Sequence, residues 1–363
     1  MIPMVDLRRQ LEGIRNEISE VLNDIIESSH YILGSKVKEF EKKITQYYSV
    51  NEAIGVASCT DALHLALRGF GITEGDEVIT TPYTFFATVE AILYIKAIPV
   101  FVDIDARTFN IDAEKIESKI TKKTKAILPV HLFGHPADME KIMKIAKRYG
   151  LKVIEDCAQS FGAMLNSQKV GTFGNAGCFS FYPSKNLGAY GDGGMIILRN
   201  IRVAEIIRRL RNHGSKGSYL HERIGFNSRL DEIQAGILLV KLKKIDEYNM
   251  MRRKNASLYT GLLSNYVTCP IEKDGSFHVY HQYTILSNHR DKIQQKLKEN
   301  GISSVVYYPV PLHLQKALRF LGYKKGDFPI AERTSRRALS LPMFPELQVS
   351  EIERISEIIK SAL

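Results

Sequence analysis

Residues 178–194, CFSFYPSKNLGAYGDGG, decide the fold that the sequence predicts. The short apolar stretch 178–182 is typical of a strand, which is interrupted at Pro183, and Lys185 follows two residues later. The small residues after Lys185 predict a close-packed turn. Because α/β proteins collect reactive groups in glycine-rich turns at strand ends, Lys185 is well placed to form a Schiff base. The alternative at this point is an ordinary surface lysine beside a tight turn.

A carboxylate upstream favours the chemical interpretation. Residues 152–163, KVIEDCAQSFGA, are typical of a buried strand that ends in Asp156, with Gln159 three residues later. A lysine at one strand end and a carboxylate at another are the pair that pyridoxal phosphate needs. The lysine carries the cofactor, and the carboxylate keeps the pyridine nitrogen protonated. The residues therefore predict a pyridoxal phosphate site.

The composition is that of a globular protein with a sizeable core. The length of 363 residues predicts about two domains, and 44% of the residues are hydrophobic. The formal charge of +10 could indicate nucleic-acid binding. However, the Lys and Arg residues are spread along helical stretches such as 202–211, without an aromatic-interleaved basic patch, so a solvated surface is the better interpretation. A basic surface would also attract an anionic, nucleotide-linked substrate.

Metal, disulfide and membrane signals are weak. The four cysteines, Cys59, Cys157, Cys178 and Cys269, lack CxxC or zinc spacing, so we expect neither a metal site nor disulfides. No run approaches the roughly 18 apolar residues of a membrane span. The N-terminal residues lack the pattern of a signal peptide, and a cytoplasmic location is expected.

Short apolar runs alternate with helical patterns over the first two thirds of the chain. An example of the helical pattern is 139–149, with Gly150 as its C-terminal cap. This alternation predicts an α/β fold, with a largely parallel sheet covered on both faces. The predicted strands are 53–56, 77–81, 99–103, 126–132, 152–156, 178–182 and 194–198.

A smaller α+β unit is predicted after a long helix within 229–249. Its expected elements are a strand at 277–285, a helix ending at Gly301, a strand at 303–309 and an amphipathic helix over 349–363. We therefore divide the chain into a large domain, 1–248, and a small C-terminal domain, 249–363.

Five segments together resemble the sugar aminotransferases of the DegT/DnrJ/EryC1/StrS family. The similarity extends from 31–41 to 339–347. It implies an aspartate-aminotransferase-like fold (pyridoxal phosphate fold type I) with a seven-stranded sheet, and a homodimer with shared active sites. The segments are ASCTDALHLAL (57–67), TPYTFFAT (81–88), VIEDCAQSFGA (153–163), FSFYPSKNLGAYGDGG (179–194) and GFNSRLDEIQAGIL (225–238).

The cofactor phosphate is expected at the start of a helix. Ser58, Cys59 and Thr60 precede a helical run, so their backbone N–H groups and the Thr60 hydroxyl can bind an anion, although a plain helix N-cap is the alternative. The family usually has glycine where this chain has Cys59. The resemblance implies that Ser180 supplies a second phosphate hydroxyl and that Asn227 reaches the phosphate of the neighbouring subunit.

The resemblance also implies contacts to the cofactor ring and the substrate. Phe85 matches the aromatic residue that stacks on the pyridine ring, with a core phenylalanine as the alternative, and Gln159 matches the residue that bonds the ring's phenolic oxygen. Arg229, Tyr308 and His313 are candidates for substrate binding, although the aromatic residues of 305–318 could equally serve packing. His131 is interpreted as a core histidine, because Lys185 already provides the base.

The predicted function is amino transfer from glutamate to a nucleotide-diphosphate-linked keto sugar in surface glycan biosynthesis. The overall pattern favours C-3 of a dTDP- or UDP-linked 3-keto hexose, with a C-4 aminotransferase as the alternative. Sugar dehydratases of this fold replace the lysine with histidine, whereas Lys185 is present here. A non-catalytic, cofactor-binding regulatory protein and a nucleic-acid-binding module are the alternatives of other classes.

Overall fold

A seven-stranded sheet forms the centre of the chain. The computed structural model describes residues 1–217 and 219–363. Up to the last strand of the central sheet, the helices and strands are α1 (Leu7–Glu12), α2 (Arg15–Ser28), α3 (Ser35–Tyr48), β1 (Glu52–Val56), α4 (Cys59–Gly69), β2 (Glu77–Thr80), α5 (Ala87–Tyr94), β3 (Ile98–Phe101), β4 (Thr124–Ile127), α6 (Met139–Tyr149), β5 (Lys152–Asp156), β6 (Met164–Leu165), β7 (Gln168–Lys169), β8 (Ala176–Ser180) and β9 (Gly194–Leu198).

Helices dominate the rest of the chain. The elements that follow the sheet are α7 (Ile201–Leu210), β10 (Ser215–Gly217), β11 (Leu220–His221), α8 (Glu232–Leu242), α9 (Ile245–Leu263), β12 (Ser276–Phe277), β13 (Tyr283–Leu286), α10 (Arg290–Glu299), α11 (Pro329–Arg337), β14 (Ala338–Leu341) and α12 (Val349–Ser361).

The order of strands in the central sheet is β1-β9-β8-β5-β4-β2-β3. Only β9 runs antiparallel to its neighbours, and the other six strands are parallel. The carboxyl ends of β5 and β8, at Asp156 and Ser180, therefore lie at the same edge of the sheet. β9 begins at that edge, because Gly194 pairs with both Ser180 and Val56. Open α/β sheets bind their ligands at this edge.

Helices cover both faces of the sheet. On one face, α4 and α7 pack through residues such as Leu65 and Ile207 against Ile154 and Ile196. On the other face, α3 and α8 pack through residues such as Phe40 against Phe179 and Phe181. Strands covered on both sides are largely apolar, which explains why they could be recognised in the sequence.

The C-terminal region has its own core. The antiparallel strands β13 and β14 pack against α9, α10 and α12. Within this core, the ring of Tyr259 stacks on that of Tyr283, with their centroids 4.9 Å apart. The predicted boundary after residue 248 falls inside helix α9, and the division into two domains stays a prediction.

All seven predicted strands of the large sheet are present, with shifted ends. The predicted strand 126–132 ends at Ile127, because the chain then leaves the ladder and returns only for an isolated bridge from Val130 to Asp156. The predicted strand 178–182 is β8, which begins and ends two residues earlier.

Three predictions for the C-terminal half were wrong in detail. The helix expected within 229–249 consists of α8 and the start of α9, separated at residues 243–244. The strand expected at 277–285 is interrupted, because residues 278–282 turn to bond the backbone of Phe133 and Gly134. At 303–309, the structure has only an isolated bridge, from Val305 to Ser340.

Over residues 1–217 and 219–363, none of the helices has both the length and the apolar character needed to cross a membrane.

Candidate active site

The turn that carries Lys185 is held by its own backbone. The N–H of Lys185 donates to the carbonyl of Tyr182, and the N–H of Ala189 donates to that of Phe181, both at 2.8 Å. Gly188 is required in this turn, since an added Cβ would lie 2.3 Å from the carbonyl oxygen of Pro183. The half-buried Lys185 side chain therefore extends from a fixed support at the end of β8.

Desolvation lowers the pKa of the Lys185 amine, while the nearby Cys59 and Asp156 oppose that shift. A lower pKa increases the neutral fraction of the amine near pH 7. Only the neutral amine is a nucleophile or a base, so its environment favours the chemistry predicted for it.

Asp156 is a buried carboxylate at the end of β5. It is 4% exposed. Its Oδ2 accepts the Thr88 hydroxyl at 2.8 Å, and its Oδ1 accepts the Ala158 N–H at 3.1 Å. Desolvation raises its pKa in spite of these bonds. Within the two described ranges, Asp156 forms no salt bridge, so a bound group with a protonated ring nitrogen would supply the missing positive charge.

Gln159 connects the sheet edge to the C-terminal half of the chain. Its Oε1 accepts the Phe133 N–H at 2.6 Å, and its Nε2 donates to the Tyr308 hydroxyl at 3.2 Å. The Tyr308 ring in turn lies 6.4 Å from that of Phe85, between centroids. Phe85 is 61% exposed, which is unusual for a phenylalanine at a sheet edge and leaves its ring free to cover a planar ligand.

The start of α4 forms the candidate phosphate site. Cys59 is the first residue of this helix, and Ser58 is its N-cap, whose Oγ accepts the N–H of Asp61 at 3.1 Å. Helix geometry leaves the first N–H groups, including those of Cys59 and Thr60, without intrahelical acceptors, and the helix dipole favours an anion there. The predicted residues thus lie where a phosphate can be bound, and Ser58 also serves as an N-cap.

Gly194 allows the start of α4 to approach the sheet. A Cβ at this position would lie 2.4 Å from the carbonyl carbon and oxygen of Ser58 and 2.8 Å from the nitrogen of Cys59. Gly194 is also the strand partner of Ser180, whose Oγ accepts the N–H of Tyr182 at 3.3 Å. The structure therefore brings Ser58, Cys59 and Ser180 to the same place.

Asn227 and Arg229 flank a residue that bonds to the first turn of α4. Between them, the buried Ser228 donates its hydroxyl to Asp61 at 2.8 Å. Asn227 is exposed, and Arg229 donates to the Oδ1 of Asn212 at 3.0 Å. Across the described residues, no hydrogen bond joins Asn227 or Arg229 to Lys185 or Asp156, so their predicted roles remain predictions.

His313 is placed differently from the other predicted substrate contacts. Its ring is buried, its Nε2 lies 3.1 Å from the Oε1 of Glu332, and it packs edge-on against Phe328. Its predicted contact with a sugar would require this cluster to open, so the burial of His313 disfavours that prediction. Tyr308, by contrast, lies beside Gln159 and Phe85.

His131 is a core histidine, as predicted. Its Nε2 lies 3.0 Å from the Oε2 of Glu155, and its Nδ1 accepts the Ala137 N–H at 3.0 Å. Together with Cys157, these side chains have a spacing that could suit a metal ion. However, the oxygens of Glu155 also accept the N–H groups of Gly171 and Gly174 at 2.7 Å, so these candidate ligand atoms are already engaged.

Several residues that build the site were not singled out from the sequence. Thr88 bonds to Asp156, and Asn186, directly after Lys185, donates to the side chain of Asn249 at 2.8 Å. His281 lies 3.2 Å from the Asn186 amide oxygen. Thr88 occurs in the recognised segment TPYTFFAT and His281 in the strand expected at 277–285, but their partners are distant in sequence and could not be read from it.

The fold, with a lysine and a buried carboxylate at one edge of the sheet, is suited to a pyridoxal-phosphate-dependent enzyme. The profile of the DegT/DnrJ/EryC1/StrS aminotransferase family matches residues 12–360. The chain therefore belongs to this family, and the resemblance inferred from its motifs is confirmed.

Two curated relatives are similar to this chain over nearly its whole length. A pleiotropic regulatory protein of Geobacillus stearothermophilus is 52% identical, over 98% of this chain and 98% of its own. A UDP-N-acetyl-3-dehydro-alpha-D-glucosamine 3-aminotransferase of Acidithiobacillus ferrooxidans is 47% identical, over 100% of this chain and 98% of its own.

A solved structure also resembles this one closely. The crystal structure of S. venezuelae DesV in complex with a ketimine intermediate superposes with a TM-score of 0.97 at 38% identity, and the match covers 99% of this chain and 98% of the DesV chain. The predicted aspartate-aminotransferase-like fold is thereby confirmed.

Proposed function

We propose that this protein is a pyridoxal-phosphate-dependent aminotransferase that moves an amino group from glutamate to C-3 of a UDP- or dTDP-linked 3-keto hexose. The observation that carries this proposal is the arrangement at the sheet edge: a lysine whose pKa is lowered by burial, near a buried carboxylate that forms no salt bridge within the described residues.

The residues present fit the cofactor. Pyridoxal phosphate, when bound, supplies an electron sink that allows a proton to leave the α-carbon of an amino acid. Asp156 would hold the protonated ring nitrogen, and the exposed Phe85 would cover the ring. The first N–H groups of α4, with the hydroxyls of Ser58, Thr60 and Ser180, would hold the phosphate. Gln159, which already bonds Tyr308, would reach the phenolic oxygen.

Lys185 has two tasks in this proposal. Its neutral amine would hold the cofactor through the aldehyde carbon, with loss of water, until the amino donor takes its place. The released amine would then move a proton between the α-carbon of the donor and the cofactor carbon that binds the donor nitrogen, as a general base and then a general acid. Burial lowers the pKa of the amine and so increases the fraction that is neutral for the first of these steps.

The choice of substrate rests on the relatives and the basic surface. The Acidithiobacillus relative is named as a 3-aminotransferase of a UDP-linked sugar, and 47% identity over the whole chain supports the same class of reaction here. Tyr308 is half-buried beside Gln159 and Phe85 and can stack on a sugar or bond to it, and Arg229 can pair with a diphosphate. Surface glycan biosynthesis in the cytoplasm is the setting that we propose.

A homodimer is part of the proposal. Asn227 is exposed, and apolar side chains near it in sequence are largely exposed too: Tyr219 is 95%, Leu220 65% and Ile224 91% exposed. Such a surface is typical of an interface. We propose that it packs on a second copy, where Asn227 reaches the phosphate site of the partner.

Trapping the lysine-bound cofactor tests the proposal. The purified protein should show the absorbance band of lysine-bound pyridoxal phosphate, and after borohydride reduction the cofactor should be found on the peptide that contains Lys185. Lys185→Ala should remove both signals and abolish amino transfer while the fold is retained, because it deletes a reacting group. Amino transfer at the normal rate by Lys185→Ala would contradict the proposal.

The same variant separates catalysis from regulation. The Geobacillus relative is named as a regulatory protein, and a non-catalytic regulator would need no reactive lysine. Lys185 and Asp156 are both present here in a chemically suited arrangement, which favours catalysis. Any regulatory effect that survived Lys185→Ala would be independent of amino transfer.

A further inference from the structure

Lys241 is a buried cation outside the predicted site. It lies on α8 and is 2% exposed, which is rare for lysine because burial removes the hydration of its charge. Its Nζ donates to the carbonyl oxygen of Gly188 at 2.8 Å and lies 4.3 Å from the centre of the Tyr190 ring. Both partners belong to the turn that follows Lys185.

Side chains of α8 and α9 also bond to other residues of that turn. On α8, the Oε1 of Gln234 accepts the Tyr190 N–H at 2.9 Å. On α9, Asn249 accepts from the side chain of Asn186 at 2.8 Å. The bond from Lys241 adds a side-chain contact at the middle of the turn, three residues after Lys185, to the backbone bonds described above.

We infer that Lys241 is a positioning residue for Lys185: its ammonium group holds the Gly188 carbonyl and so fixes the turn from which the reactive amine extends. Without this donor, the Gly188 carbonyl would be left as a buried acceptor that lacks its partner, and the turn would gain freedom to move. Small displacements of a reacting group are costly in rate, so the effect should appear in the chemistry of Lys185. The inference rests on the proposed function, since it needs Lys185 to be the reacting group.

The chain offers a matched control in Lys169. Its Nζ also donates to a backbone carbonyl, that of Tyr47, at 2.7 Å, and also lies over a tyrosine ring, at 3.7 Å. Desolvation lowers the pKa of both lysines, in the case of Lys241 to about 8. Lys169 bonds to α3 and not to the Lys185 turn. Its replacement by methionine therefore also removes a bond to a backbone carbonyl and a contact with a tyrosine ring, but leaves the contacts of the Lys185 turn unchanged.

The test compares Lys241→Met and Lys169→Met in the full-length protein. We measure the rate at which added pyridoxal phosphate becomes bound to Lys185, by its absorbance band, and then kcat and KM for glutamate. Lys241→Met should slow attachment and lower kcat by about tenfold, with KM within about twofold of the wild type. Lys169→Met should leave all three values within about twofold of the wild type, and thermal unfolding of both variants measures how much stability each substitution costs.

Other outcomes are informative as well. Normal attachment and normal kcat in Lys241→Met would overturn the inference, and so would an equal defect in Lys169→Met. If Lys241→Met does not fold, Lys241→Arg is tested instead. Arginine keeps the positive charge but moves the side-chain N–H donor away from its position beside the Gly188 carbonyl. Attachment about threefold slower than in the wild type would then support the inference, and an unchanged rate would overturn it. A wild-type protein without any lysine-bound band would instead refute the proposed function itself.

Discussion

Burial gives the Lys185 amine a lower pKa than an exposed lysine has, while Cys59 and Asp156 oppose the shift. Because only the neutral amine attacks the cofactor, the rate of covalent attachment should rise with pH and reach half of its maximum below pH 10.5, the ordinary value. Asp156→Asn should move this midpoint lower still, since it removes the negative charge that stabilises the ammonium form. Attachment rates measured by stopped-flow absorbance would reveal a midpoint at or above 10.5 if this account were wrong.

Asp156 should matter for turnover more than for attachment. Asp156→Asn removes the charge that keeps the ring nitrogen protonated, and we expect kcat to fall about 100-fold or more while Lys185 still binds the cofactor. A suitable control is Asp103→Asn, because Asp103 is a second buried carboxylate, whose oxygens accept the N–H groups of Ile330 and Ala331 at 3.0 Å.

The control should change stability and not chemistry. Asp103 binds the start of α11, so Asp103→Asn should lower the free energy of unfolding by about 1–3 kcal/mol. Its kcat should remain within about twofold of the wild type. Urea unfolding and steady-state assays measure the two quantities, and an equal loss of kcat in both variants would show that Asp156 acts only through stability.

Among single residues, the functional ones that could be predicted from the sequence are those that lie within short, recognisable motifs. Asp156 ends one strand and Lys185 lies in the turn that follows another, and the apolar runs of both strands are visible in the sequence, so their approach at one sheet edge could be foreseen. Lys241 could not, because its partner Gly188 is 53 residues away and nothing local marks it as buried. The burial of His313 against Glu332 was hidden for the same reason.

Helix α4 and strand β9 depend on each other through Gly194. Gly194→Ala would place a methyl group 2.4 Å from the Ser58 carbonyl and so displace the start of α4. We expect the dissociation constant for pyridoxal phosphate to rise about tenfold or more, since the phosphate loses well-directed N–H donors.

Gly261→Ala is the matched control for this change. Gly261 lies inside α9, and an added Cβ there meets nothing within 4 Å. This substitution should raise the stability by up to about 1 kcal/mol and leave the dissociation constant unchanged. Absorbance titration measures the affinity of both variants, and wild-type affinity in Gly194→Ala would show that the approach of α4 to β9 is not needed.

Helices and strands could be predicted where the hydrophobic pattern of their sequence matches the way they are buried in the fold. The strands of the central sheet are covered on both faces and are recognisable as apolar runs. The break between α8 and α9 has no glycine or proline to mark it. The interruption at 278–282 arises because Val279 and Gln282 bond to the 133–134 backbone, a contact that alternating hydrophobicity cannot reveal.

On the scale of the whole molecule, the proposed dimer makes each site depend on two chains. Lys185→Ala and Asn227→Ala should each be nearly inactive, for lack of the amine or of the phosphate contact. When the two are mixed after reversible dissociation, half of the dimers should be hybrids that contain one complete site, giving about a quarter of wild-type activity. Activity that stays at the level of the separate variants would show that Asn227 does not serve the partner's site.

The most direct measurement of the central claim is the position of the new amine. The protein is incubated with pyridoxal phosphate, glutamate and either a 3-keto or a 4-keto UDP-linked hexose, each also prepared with dTDP, and the product is examined by NMR. We predict a new amine on C-3, formed only from a 3-keto compound and absent with Lys185→Ala. Amination of the 4-keto compounds alone would contradict the choice of carbon, and amination of none of them would contradict the proposed substrate class.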